Sequence, residues 1–191
     1  MRRTRKLAIL IAIAAVAVYG GSALAASAPA AHDHSAGSAS QAELAAVRRV
    51  TAQFQDVEAA IAAGYELGYV NGAGTRIITG CISNPTAGAM GYHYFNKGLV
   101  DDLVVDPLKP EALVYERLPN GKLKLVAVEH VVPGPGSNPA GPSGPPPTVF
   151  GMEMHILVPP PGPGFYLQHA WIWRQNPAGM FADWNPGVTC P

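Results

Sequence analysis

Apolar residues recur at helical spacing early in the chain. Leu44, Val47, Val50, Phe54, Val57 and Ile61 fall on one side, and Arg48, Arg49, Gln53, Gln55, Asp56 and Glu58 fill the other. Ser40 with Glu43 three positions later is the capping-box pattern. Gly64 suits a left-handed stop. The pattern predicts one amphipathic helix between Ser40 and Gly64, whose apolar face must pack on something.

After Gly80 the period changes to that of strands. "GAMGYHYFN" (88–96) reads as a strand, and "EALVYERL" and "KLKLVAVEHVV" flank the Asn120-Gly121 hairpin signal. The stretch 133–147, rich in proline and glycine, predicts a mobile surface loop. "TVFGMEMHILV" and "FYLQHAWIWRQ", joined by "PPPGPG", predict a second hairpin. The tail carries two Asn-Pro turn signals and predicts irregular structure. The fold class expected is α+β, a single domain over 41–191, with an N-terminal amphipathic helix on an antiparallel sheet built of hairpins.

Parity assigns strand faces. Along 122–132, Leu123, Leu125, Ala127, Glu129 and Val131 share one face, while Lys122 and Lys124 begin the wet one. A two-residue Asn120-Gly121 turn pairs Glu116 with Leu125 and Ala112 with Glu129, so both glutamates point inward. In the second hairpin, a loop from Pro159 to Gly164 pairs Val158 with Phe165 and sets Met154 opposite His169. His169 is then the dry histidine, in line with Phe165, Leu167, Trp171 and Trp173, and His155 the wet one. His93 sits between two tyrosines in its strand.

His93, Glu129 and His169 are thus buried polar groups that need partners, since burial without them costs a few kcal/mol each. In one reading, His169 and Glu129 form a hydrogen-bonded pair that locks register. In the other, two histidines and a carboxylate bind a single transition metal, zinc or non-haem iron. Glu116 is a further candidate ligand, and Met154 beside His169 would favour copper.

The chain opens with Arg2, Arg3, Arg5 and Lys6, the apolar run Leu7–Val18 and the small-residue site Ala23-Leu24-Ala25. This predicts a signal peptide over 1–25, a mature start at Ala26 and a flexible linker over 26–40. His32 and His34 are read as solvated linker residues. A membrane would be met only through an uncleaved signal segment. Cleavage leaves 166 of 191 residues, enough for one core. It also removes four of the 13 basic residues against 13 acidic ones, so the mature part is mildly acidic. No basic stripe is present, which argues against nucleic acid.

Cys81 and Cys190 have one intramolecular pairing, and export predicts that they form a disulfide. The sequence has no Gly-x-Ser-x-Gly and no Cys-x-x-Cys, and "GAGT" (72–75) is a turn with no helix after it. Trp184, in the irregular tail, is a candidate exposed binding aromatic.

The motifs "GAMGYHYFN", "PEALVYE", "KLVAVEHVV" and "HAWIWRQNPAGMFADWNP", with the terminal cysteine, resemble a family of uncharacterised secreted bacterial proteins over roughly residues 43–190. The resemblance implies a bacterial exported protein and carries over no activity and no functional residue. The expected function is a non-enzymatic envelope or extracellular binding domain. The alternative is a metal-binding protein or metalloenzyme that uses the buried His/Glu cluster.

Overall fold

The structure, a computed structural model, describes residues 39–157 and 164–191. The expected signal peptide (1–25), all but the end of the expected linker (26–40), and nearly all of the 159–164 loop lie outside the described residues.

The first helical segment is broken where one helix was expected. Helix α1 spans Gln41–Thr51, a 3-10 turn follows over Ala52–Gln55, and α2 spans Val57–Ala62. Ser40 and Glu43 close the capping box at the start of α1. The break follows from local competition for backbone groups. The Thr51 hydroxyl donates back to the Val47 carbonyl, a bond that bends helices. The Tyr115 hydroxyl takes the Phe54 carbonyl. Asp56 then adopts extended backbone and caps α2 through the Glu58 amide. Gly64, at φ +90°, turns the chain out.

Among the described residues, seven strands form one antiparallel sheet. They are β1 (Tyr65–Leu67), β4 (Cys81–Asn84), β5 (Gly88–Asn96), β6 (Ala112–Arg117), β7 (Leu123–Pro133), β10 (His155–Leu157) and β11 (Phe165–Ala170). The order is β1-β5-β6-β7-β11-β10, and β4 also pairs with β5. Strands β2 (Tyr69–Val70) and β3 (Arg76–Ile77) form a small hairpin whose tip contains the expected "GAGT" turn. A short helix, α3, covers Lys97–Asp101. The fold is α+β, helices with an antiparallel sheet.

The β6–β7 turn differs from expectation in a compensated way. Its loop is three residues, Pro119–Gly121, closed by the Leu118 and Gly121 amides, with Gly121 at φ +82°. Glu116 therefore faces Lys124 rather than Leu125. A bulge at Val126 then restores the count, so Ala112 pairs with Glu129 as expected.

The expected strand 148–158 is also interrupted. Strands β8 (Thr148–Val149) and β9 (Met152–Glu153) pair with each other around Phe150 and Gly151, both at positive φ. A phenylalanine there is strained. Its ring is buried and packs between His130 and Phe181, which holds the turn.

Both faces of β7 are dry. Leu125 and Val128 share a core cluster with Leu44, Val47, Phe54, Leu113 and Tyr115. Val131 joins Tyr69, Phe95, Ala112 and Leu167 in a second cluster, and Val126 and Ala127 join Trp171 and Val188 in a third. The tail, irregular as expected, is pinned by the Cys81–Cys190 disulfide, with Cα atoms 5.6 Å apart. Two buried asparagines order it from within: Asn176 bonds the Trp184 carbonyl and Asn185 the Gln175 carbonyl. No helix among the described residues is long and apolar enough to cross a membrane.

Candidate metal centre

Glu129 stands at the middle of the sheet, opposite Ala112 on β6 and His169 on β11. His93, on β5, stands opposite Val114, so it reaches Glu129 across β6. The small side chain of Ala112 leaves the space for that meeting. His93 Nε2 lies 3.6 Å from Glu129 Oε2, and His169 Nδ1 lies 3.2 Å from Glu129 Oε1. Ligand atoms of all three residues lie within 4.8 Å of one another. The imidazoles meet edge to face with centroids 5.7 Å apart. His93 is stacked on Phe95 and His169 on Trp171, which fixes both ring planes.

All three side chains are buried, and burial dominates their electrostatics. It pushes His93 down to about 3, helped by the neighbouring His169, while a backbone bond at Gly91 opposes the shift. Burial also pushes His169 down to about 4, against the nearby Asp183 carboxylate and with the help of His155. Burial raises Glu129 well above the usual carboxylate range, and Asp183 and Glu111 add to the rise. Burial therefore favours the uncharged form of all three groups in the cluster alone. Both ring nitrogens of His169 are buried and have no hydrogen-bond partner among the described residues, so the described protein around them does not meet their polar requirement.

The cluster extends to a pair that the sequence pattern had placed elsewhere. Leu157, not Val158, pairs with Phe165, a shift of one residue in the second hairpin. That shift puts His155 opposite Leu167 and hence on the His169 face. His155 Nε2 bonds the Asp183 carboxylate at 3.0–3.1 Å, and Asp183 Oδ1 lies 3.9 Å from His169 Nδ1. His155 is not the wet histidine expected; its side chain is 14% exposed.

The other candidates lie apart. Glu116 accepts two hydrogen bonds from Arg174 Nη1, both at 2.6 Å. Met154 is buried in the cluster shared with α1, not opposite His169. Trp184 is half-buried. A second buried pair went unread in the sequence: His130 Nδ1 lies 3.2 Å from Glu111 Oε2, which also accepts the Val131 amide. The adjacent Glu129 and His130 were its signal, because two neighbouring polar residues inside an apolar strand point to opposite faces that both need partners.

A pocket of about 80 Å³ leads from the surface to this cluster. Ile78, Ile82 and Leu157 stand at its half-exposed rim, and Met90, Phe95 and Leu167 line its wall. Among the described residues, the polar side chains that line it are His93 and Glu129. Compared with known proteins, the chain has no significant match to a family model, a curated protein or a solved structure.

Proposed function

We propose that the protein is an exported domain that binds one divalent transition metal, zinc foremost, through His93, Glu129 and His169. The observation that carries this reading is the convergence of donors: one ligand atom from each of the three buried residues lies within 4.8 Å of the others, with His169 Nδ1 3.2 Å from Glu129 Oε1 and His93 Nε2 3.6 Å from Glu129 Oε2. The longer contact is no hydrogen bond. Zinc bonds of about 2.0–2.2 Å place the ligand atoms of a tetrahedral site roughly 3.3–3.6 Å apart, so a bound ion would draw the three donors inward by a small adjustment of the side chains. Neutral imidazole is the ligating form, and Glu129 would release its proton on binding. Met154, which would have favoured copper, is packed in another cluster. Three protein ligands leave a fourth position, as in catalytic rather than structural zinc sites.

A second reading has one observation in its favour. His169 and Glu129 are direct cross-strand partners, so a protonated Glu129 donating to His169 Nδ1 would lock the β7–β11 register without a metal. The amphipathic α1 is read as the cover of the opposite sheet face, and the 1–25 segment as the export signal. Calorimetric titration of untagged, chelator-stripped protein with zinc separates the readings. Binding with proton release, abolished in His93→Ala, supports the metal centre. Wild-type protein that takes up no zinc leaves the structural lock.

A further inference from the structure

The metal reading says nothing of what reaches the metal. The pocket above the cluster does. Among the described residues, its polar lining is the His93 imidazole and the Glu129 carboxyl, both buried, and the other side chains that line it are apolar. A ligand that enters meets polar groups at that one place.

The rim adds a second observation. Ile78, at the mouth, has φ +57°. A β-branched residue in the left-handed region is a strained outlier. Glycine or asparagine would relieve that strain. The fold instead holds a large aliphatic side chain over the entrance, and strain of this kind concentrates at ligand sites.

We infer that the pocket selects a short aliphatic molecule with a single metal-binding head group, the head on the metal held by His93, Glu129 and His169, and the uncharged tail against Ile78, Phe95 and Leu167. This rests on the metal reading. Size sets the tail length. A dry cavity of about 150 Å³ accommodates benzene, so about 80 Å³ accommodates roughly three carbons. A tail with a charge or hydrogen-bonding group at its end would be desolvated there without a partner.

The test uses the full untagged chain loaded with cobalt(II), whose visible bands report coordination directly. Butyrate, acetate and succinate are the probes. They share a carboxylate head; acetate lacks the tail, and succinate carries a second charge at its end. Butyrate should shift the bands with an affinity roughly tenfold or more above acetate, from the two extra methylenes, and succinate should be no better than acetate. Ile78→Asn, which keeps a side chain suited to the left-handed backbone, should retain the cobalt bands and melt no lower, yet lose most of the preference for butyrate. Bands that butyrate leaves unmoved, or that all three acids shift alike, overturn this inference and leave the metal site standing. No cobalt bands at all overturns the metal reading and this inference with it.

Discussion

His169 and Glu129 face each other directly across the β7–β11 ladder, Nδ1 to Oε1 at 3.2 Å, both side chains almost wholly removed from water. That single pairing joins the architecture to the chemistry. The register that aligns two central strands also aligns a carboxyl with an imidazole, and His93 completes the set across the small Ala112.

Glu129→Gln should separate ligand from lock. The amide keeps the shape and the cross-strand position opposite His169, but it is a poor zinc ligand. Thermal denaturation should show a folded protein, destabilised by no more than about 1–2 kcal/mol, and metal content should fall to background. Full metal content in this variant would remove Glu129 from the site.

The stripped protein should lose stability as pH falls below 6.5. His93 and His169 have folded values of about 3 and 4, below their ordinary 6.5. A depressed value contributes stability that is present above 6.5 and lost as pH falls toward the folded values. Near pH 5 the loss is roughly 2 kcal/mol for each histidine. Glu129 is raised, so its contribution has the opposite sign: it is present below 4.5 and lost as pH rises through the folded value. Below 6.5 the two histidines outweigh the one acid. Urea denaturation should show the acid limb, and Glu129→Gln, which removes the opposing contribution, should steepen it. A profile that is flat between pH 6.5 and 5 would contradict the burial account.

Replacing Cys81 and Cys190 together with serine should cost about 4–5 kcal/mol, from the entropy of the large loop that the bridge closes. Denaturant unfolding measures this. The tail, tied to β4, should also become the fastest-exchanging ordered segment by amide exchange. A change under about 1 kcal/mol would mean that Asn176, Asn185 and Trp171 hold the tail unaided.

Glu116→Gln is the control for position. Its carboxylate serves Arg174, whose side chain is 31% exposed, so the loss should be only about 1 kcal/mol. Metal content should not change. Loss of metal here would show that the site is sensitive to any buried carboxylate rather than built from three residues.

The parts of this site that could be read from the sequence were those fixed by local chemistry. The Ser40–Glu43 cap, the strand Gly88–Asn96 and the inward placement of Glu129 and His169 follow from patterns within a few residues. Register could not be read in the same way. The bulge at Val126 depends on the Trp173 amide taking its carbonyl, a contact made far along the chain. The one-residue shift that brings His155 to the cluster is a choice of strand register, which the length of a proline-rich connection in the sequence does not dictate. Parity failed on β7 for a different reason. It presumes one wet face, and this strand is buried on both, so the Glu111–His130 pair was hidden in plain alternation.

Metal analysis of the untagged protein, purified without chelator and again after exposure to zinc and iron(II) followed by desalting, tests the central claim most directly. The account predicts about one tightly held metal per chain, zinc foremost, lost together in His93→Ala and His169→Ala while Glu116→Gln retains it. Wild-type protein holding less than about a tenth of an equivalent under every loading condition would contradict it, and would leave His93, Glu129 and His169 as a structural knot in the middle of the sheet.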